Sequence, residues 1–165
     1  MSAVISADER YRYHLRRELP LSLDQPTSRT CLFIMLNPST ADAAKNDPTI
    51  RRCLTFTSLA GCDVLEVVNL YAYRATDPDD LFRAGAAGVD IVGPDNYEHI
   101  EQANNRADVV YVAWGAKAPR DRVAALVNMC GMSELHCLGT TSDGSPRHPL
   151  YVPTTAAVEL WSPNA

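Results

Sequence analysis

The chain has 165 residues, of which 46% are hydrophobic and 21% are charged, and its formal net charge is -5. These proportions are typical of a folded globular protein and predict a single domain over residues 1–165, which excludes a disordered or fibrous chain. The acidic charge argues against a protein that holds duplex DNA mainly by neutralising phosphates, because such domains are strongly basic.

Five segments of the chain have the residue patterns of β-strands. Residues 9–17 alternate Tyr and Leu with Arg, which is the period of a half-buried strand, and we expect this strand at the edge of the sheet. The continuous apolar run at residues 31–36 is typical of a strand covered on both faces, and the mainly apolar segments 64–68, 109–113 and 135–138 are predicted as further strands. They predict the centre of a parallel sheet.

Helices are predicted between these strands. Asp47 is followed by Pro and then by an apolar segment, so we expect it to cap the first helix. Further helices are predicted over residues 93–106 and 119–130, whereas residues 77–80 have the composition of a turn. The alternation predicts an α/β fold, a three-layer αβα sandwich with a central, mainly parallel four-stranded sheet plus an N-terminal edge strand.

Polar residues follow the ends of all four apolar strands. Because ligands of such sheets bind beyond the carboxyl ends of the strands, we expect one pocket there. The candidate binding or catalytic residues are Asn37, Pro38, Ser39, Asn69, Tyr71, Arg74, Trp114, Gly115, Arg147 and His148.

Several candidates have a chemical interpretation and a plainer structural one. The Asn69 amide has the donors and acceptor to bind a nucleobase edge, or it caps a strand end. Trp114 stacks on a ligand ring or fills the core. His148 acts as a general acid or is a solvated loop residue. Arg74 and Arg147 are candidate phosphate clamps, because a guanidinium matches phosphate oxygens.

Asn37 and Asp42 are candidates for handling a water molecule. Pro38 holds Asn37 in an extended or turn conformation and directs its side chain off the strand end, although a plain turn explains the pair equally well. Asp42 is the nearby carboxylate without a capping task, which suits it to activate water.

The cysteines and the lengths of the apolar runs bear on the cellular compartment and on membrane association. Five cysteines, an odd number without a C-x-x-C pair, lie mostly in apolar segments and suggest a reducing cytoplasm. No apolar run approaches the roughly 20 residues of a membrane-spanning helix, so we expect no membrane partner. Without a grouping of metal ligands, we expect neither a metal nor another cofactor.

Segments spread over most of the chain carry a family resemblance. Residues 32–42, 47–53, 69–74 and 146–151 resemble a bacterial and phage family known as domain of unknown function 1643. This resemblance covers nearly the whole chain and implies no activity.

Four shorter motifs resemble the uracil-DNA glycosylase superfamily. They are Asn37-Pro38, Val67-Val68-Asn69, Trp114-Gly115 and His148-Pro149, in the order of that superfamily, with Leu150 where it has Ser. The resemblance implies the glycosylase fold and hydrolysis of an N-glycosidic bond. It also implies that Asn37 orients the water, Asn69 reads the base and His148 stabilises charge on the departing base.

Three functions remain open. The first is an N-glycosidase acting on a nucleotide, nucleoside or nucleic-acid base, with a nucleotide, nucleobase or single strand as partner. The second is a non-catalytic module that binds a nucleotide or modified base, which Asn37 favours because an amide cannot accept a proton as a base does. The third is a protein-protein adaptor with a vestigial pocket. A basic cluster, Arg10, Arg12, Arg16 and Arg17, contacts nucleic acid or forms a solvated, charged strand edge.

Overall fold

The fold is described from a computed structural model, which describes residues 1–20, 27–39, 41, 44–129, 131–132 and 134–163. Its strands are β1 (Ser2–Ile5), β2 (Arg12–Glu18), β3 (Thr30–Met35), β4 (Val64–Asn69), β5 (Val109–Val112), β6 (Leu135–Cys137) and β7 (Glu159–Trp161). Its helices are α1 (Pro48–Leu59), α2 (Pro78–Ala86), α3 (Asn96–Arg106) and α4 (Arg120–Met129), with a 3₁₀ helix at Pro149–Tyr151.

The described strands form one mixed sheet of seven strands in the order β1-β2-β4-β3-β5-β6-β7. β3 pairs in parallel with β4 and β5, and β5 pairs in parallel with β6. β1, β2 and β7 join the sheet through antiparallel pairs. The prediction of an α/β chain is confirmed, but the expected count of four strands plus one edge strand is too low.

Helices cover both faces of this sheet. Successive side chains of β3 point to opposite faces, so β3 contributes to the apolar cluster on each side. Cys31 and Phe33 lie in one apolar cluster with Phe56 of α1. Leu32 lies in the other cluster, together with Ile100 of α3 and further residues of α2 and α4. The long apolar runs of the sequence are therefore strands buried on both faces.

The strand predicted for residues 9–17 is not at the edge of the sheet, which corrects the prediction. β1 pairs with β2 on its outer side and β4 pairs with it on its inner side. Arg12 and Arg17 are consequently only 2% and 1% exposed. The idea of a solvated, charged strand edge is wrong for these two arginines, because their side chains are enclosed against the segment before α1: Arg12 donates to the Ala41 carbonyl oxygen and Arg17 to Asn46 Oδ1.

A β-bulge in β2 changes the direction of Arg12. Val4 pairs with His14 and Ile5 pairs with Arg12, so Tyr13 is the extra residue on β2. A bulge shifts the alternation of side chains along a strand. His14 therefore contacts Glu66, whereas Arg12 donates from Nη1 to the Ala41 carbonyl oxygen at 2.8 Å.

Two aspartates cap helices at matching Asp-Pro positions. Asp47 accepts a hydrogen bond from the Ile50 amide at 2.8 Å, which confirms the predicted start of α1. Asp77 accepts one from the Asp79 amide at 2.9 Å, so residues 77–80 begin α2 rather than forming the predicted turn. Asp-Pro starts a turn and a helix equally well, and α2 buries only Leu81.

No described helix has both the length and the apolar composition that crossing a membrane requires.

Glu66 lies at the centre of a buried charge cluster between β2, β4 and α3. Its side chain is 1% exposed and lies 3.1 Å from His14 Nε2, 3.0 Å from Arg16 and 3.0 Å from Arg106. Burial alone would raise the pKa of Glu66, but the close approach of His14 and the hydrogen bonds from Arg106 lower it to about 2.

We expect Glu66→Gln to lower the free energy of unfolding by roughly 3 kcal/mol at pH 7, because the lowered pKa reports that much interaction with the carboxylate. The stabilisation is present above pH 4.5 and is lost as the pH falls towards 2. Urea unfolding of wild type and variant should therefore converge across this interval. The control is Glu101→Gln on the exposed surface of α3. A constant difference between wild type and Glu66→Gln from pH 7 to pH 2 would contradict the assignment.

Candidate functional site

A cavity of about 870 Å³ lies beyond the carboxyl ends of the strands. Residues after β3, β4, β5 and β6 line it, together with the first turn of α1. Cavities of this volume accommodate ligands of the size of a nucleotide. Its place at the strand ends is the expected one for an α/β sheet.

Most candidates from the segments after β3, β5 and β6 meet at this cavity. Asn37, Ser39, Trp114, Gly115, Arg147 and His148 line it. A hydrogen bond from the Gly115 amide to the Pro146 carbonyl, at 2.9 Å, joins the segment after β5 to the one before His148. Gly115 has a φ of 75°, a left-handed conformation that favours glycine at this junction.

Four described candidates, Pro38, Asn69, Tyr71 and Arg74, do not line the cavity. Pro38 is buried, and its carbonyl oxygen accepts a hydrogen bond from the Ala75 amide. Tyr71 packs in the apolar cluster on the α3 and α4 side. Arg74 donates to the Glu9 carbonyl oxygen at 3.2 Å. Asp42 lies outside the described residues, so its predicted part in activating water stays a prediction.

Asn69 is the fourth of these, and it is buried beside the cavity. It pairs in register with Met35, which does line the cavity. Its side chain is enclosed, since the residue is 1% exposed, and neither polar atom of the amide has a hydrogen-bond partner among the described residues. The base-reading part assigned to Asn69 stays a prediction.

The Asn37 side chain has a fixed orientation. Its Nδ2 donates to the Ala75 carbonyl oxygen at 2.7 Å and to the Pro38 carbonyl oxygen at 3.3 Å. A carbonyl accepts only from a donor, so these contacts assign the amide nitrogen. The Oδ1 atom, without a hydrogen bond to the described part of the chain, is left as an acceptor at the cavity.

His148 is held in one tautomer. Its Nδ1 accepts a hydrogen bond from the Leu150 amide at 3.3 Å, capping the 3₁₀ helix. Burial lowers the pKa of His148, and the nearby charge of Asp47 opposes this only in part. The ring is therefore neutral at pH 7 and carries its proton on Nε2, which makes Nε2 a donor.

Two charged residues at the cavity were not among those predicted to line it: Asp47 was expected only as a helix cap, and Arg12 only as part of the basic cluster on the N-terminal strand. Asp47 is the carboxylate that lines it among the described residues. Because capping α1 already accounts for Asp47, no feature of the sequence placed this carboxylate at the cavity. Arg12 also lines the cavity, and burial lowers its pKa to about 10 despite the charge of Asp47. Only the bulge in β2 directs Arg12 there, and the sequence gives no signal of it.

Comparison with known families gives one match. A family model described as protein of unknown function (DUF1643) matches residues 12–150. The chain belongs to the DUF1643 family. The match runs from the start of β2 to the 3₁₀ helix, so β1 and β7 lie outside it. No curated protein and no solved structure matches the chain.

Further cationic residues lie at the rim of the DUF1643 cavity. Lys117 pairs with Asp79, and both side chains are more than half exposed. Arg147 is exposed and donates from Nε to the Thr140 carbonyl oxygen at 2.8 Å. With Arg12, three cations face the single carboxylate of Asp47 among the described lining residues, so the cavity favours an anionic ligand.

Within the described part of the DUF1643 chain, no group of three or more His, Cys, Asp or Glu residues has an arrangement that holds a metal ion.

Arg52 ties the segment that carries His148 to α1. It donates to the carbonyl oxygens of Pro149 and Val152, and its guanidinium lies 5.2 Å from the centre of the Phe56 ring. The 3₁₀ helix is thus held against α1 next to the cavity. Arg52 acts here as a positioning residue for His148.

We expect Arg52→Gln to destabilise this segment by about 1–2 kcal/mol, because two carbonyl oxygens lose a charged donor. Hydrogen exchange should show faster exchange of the Tyr151 amide, which bonds to the His148 carbonyl oxygen at 3.1 Å. Arg51→Gln is the matched control, since the exposed Arg51 bonds to the Asn46 carbonyl oxygen instead. Equal exchange rates of Tyr151 in the two variants would contradict this assignment.

Proposed function

We propose that the cavity binds a nucleotide or nucleoside and hydrolyses its N-glycosidic bond. The observation that carries this proposal is the set of three groups around one cavity: the Asp47 carboxylate, the Asn37 Oδ1 acceptor and the neutral His148. A carboxylate accepts a proton from water, an amide oxygen orients it, and an imidazole N–H stabilises charge on a leaving group.

The reaction divides among these groups as follows. Asp47 takes one proton from a water molecule whose other hydrogen is held by Asn37 Oδ1. The water oxygen forms a bond to the anomeric carbon of the sugar while the carbon-nitrogen bond to the base breaks. The bonding electron pair leaves with the base, where the Nε2 proton of His148 stabilises it. Protonation of the base and return of the Asp47 proton to solvent complete the cycle.

The arrangement of strand-end motifs supports a distant relation to the uracil-DNA glycosylases, which we include in the proposal. Asn37, Trp114 and His148 come from three of the four motifs and line one cavity. Trp114 is 4% exposed and packs edge to face against Trp161, with the two ring centres 5.0 Å apart, so it forms a packed wall of the cavity. In this proposal its ring bounds the space for the base.

A second candidate function is binding of a nucleotide or modified base without turnover. It is favoured by the Asn37 amide, whose nitrogen is fixed on two backbone carbonyls, and by Asn69, which lies off the cavity. Under this alternative Asp47 serves only as a helix cap. The two candidates share the ligand and differ in whether a base is released.

Mass-spectrometric detection of free base tests the choice. The protein is incubated with nucleosides, nucleotides, and uracil-containing single- and double-stranded DNA, beside Asn37→Ala and a control without protein. Base release by the wild type alone supports the hydrolase, and the substrate that reacts gives its class. Equal base yields in all three samples would remove the hydrolase, and ligand binding measured by calorimetry would then support the second candidate.

A further inference from the structure

We infer that the ligand carries a terminal phosphate monoester, and that Arg12 and the start of α1 hold this phosphate at the inner end of the cavity. The inference rests on the proposed function in that it names the substrate class of the same site, a nucleoside monophosphate or the phosphorylated end of a strand. Its test measures binding, so it does not depend on turnover.

Arg12 is a buried cation that forms no ion pair with any described residue. The residue is 2% exposed and lines the cavity. Its Nη1 donates to the Ala41 carbonyl oxygen. Within the part of the chain that the structure describes, its buried Nε has no hydrogen-bond partner and no carboxylate lies within ion-pair distance. A buried cation without an anion is unfavourable, so an anionic ligand that pairs with it gains affinity.

The start of α1 provides a second set of donors at the same place. Thr49 and Ile50 line the cavity in the first turn of this 12-residue helix. Asp47 occupies the Ile50 amide, whereas the Thr49 amide and hydroxyl make no hydrogen bond with described residues. Free amides at a helix start, with the positive end of the helix dipole, are a common seat for phosphate.

The burial of Arg12 selects a terminal phosphate over a phosphate within a strand. The other cations, Lys117 and Arg147, lie at the exposed rim. A phosphodiester continues on both sides and requires an open groove, whereas a monoester reaches the enclosed end of a cavity. The phosphate therefore belongs at Arg12, and the rest of the ligand extends towards the rim.

Arg74 offers a matched comparison because it is an arginine close to Arg12 that does not line the cavity. Its positive charge contributes to lowering the pKa of Arg12, so the two lie near each other. Its side chain bonds to the Glu9 carbonyl oxygen instead. Arg12→Gln and Arg74→Gln remove the same charge from the same region, and only the first removes a cavity donor.

Titration calorimetry tests the inference with the common ribonucleoside 5′-monophosphates, the matching nucleosides, inorganic phosphate and a dinucleotide without a terminal phosphate. The wild type should bind one or more monophosphates about 10- to 100-fold more tightly than the nucleoside, as expected for charged hydrogen bonds. Arg12→Gln should remove this difference and Arg74→Gln should keep it. A 5′-phosphorylated oligonucleotide separates a strand end from a free nucleotide as the source of the phosphate.

Two results overturn the inference: monophosphates that bind wild type no more tightly than nucleosides, or a preference for phosphate that survives in folded Arg12→Gln. Circular dichroism establishes whether Arg12→Gln folds; if it does not, the wild-type comparison decides, with Arg12→Lys as the variant that keeps the charge. Phosphate-dependent binding without base release would contradict the proposed hydrolysis and support the phosphate site. Base release without a preference for phosphorylated ligands would contradict the phosphate site and support the proposed hydrolysis.

Discussion

Replacing Asp47 with Asn is expected to lower the rate of base release by a factor of about 10² to 10⁴, the usual contribution of a general base. Asn caps a helix as well as Asp, so the hydrogen bond from the Ile50 amide and the start of α1 should remain. The affinity for an anionic nucleotide should be retained or increased, because a negative charge leaves the cavity. Steady-state kinetics and titration calorimetry on the same preparation separate the two effects.

The control is Asp77→Asn. Asp77 caps α2 at the same kind of Asp-Pro position, but it does not line the cavity. The two substitutions therefore have the same consequences for helix capping and differ at the site. If Asp47→Asn retains the wild-type rate, or if Asp77→Asn loses as much activity, Asp47 is a structural cap and the carboxylate has no part in the reaction.

The central strands were predictable because the apolar composition of each segment is enough to indicate a buried strand. β3 and β5 are apolar segments, and β4 is mainly apolar, so they are expected to be covered on both faces. The edge strands were not, since β1 has four residues and β7 has three, and Leu160 in β7 is 73% exposed. Such short strands form because a neighbouring strand offers unpaired backbone groups, and this depends on the assembled sheet.

The site residues were predictable at those strand ends where the chain leaves the sheet directly. Asn37 and the Trp114-Gly115 pair leave the sheet at the cavity. Beyond the last residue of β4, the Leu70 amide bonds to the Met35 carbonyl oxygen of β3, and the Tyr71 amide bonds to the carbonyl oxygen of Leu36, just after β3. Tyr71 packs in the apolar cluster on the α3 and α4 side, and Asn69 is enclosed beside the cavity without lining it. Reading the end of an apolar run as the end of a strand places these two residues too close to a ligand.

Arg12 was not predicted at the cavity because its direction depends on tertiary structure. Strict alternation along β2 places Arg12 on the same face as His14, which contacts Glu66. The bulge at Tyr13 reverses this and brings Arg12 to the α1 side. Nothing in the local sequence marks the bulge, because it arises from the pairing of β2 with the separate strand β1.

His148→Asn is expected to lower the rate of base release by about 10²-fold or more, since a shorter side chain removes the Nε2 donor from the departing base. Asn is a good cap residue, so its side-chain oxygen can still accept from the Leu150 amide and the 3₁₀ helix should persist. His148→Ala removes the donor and the cap together. Comparison of the two variants by kinetics and hydrogen exchange assigns the loss of rate to the donor or to a displaced segment.

The same residue gives an expected pH dependence. Because burial lowers the pKa of His148 below 6.5, the unfolded chain binds a proton at this residue before the folded protein does. Stability from the neutral ring is therefore full above pH 6.5 and is lost as the pH falls below that value. The unfolding free energy of wild type should decline there relative to His148→Asn, and NMR should show the folded His148 still neutral at pH 6.5. A ring half-protonated at or above pH 6.5 would show that His148 is not the neutral donor on which the proposed reaction depends.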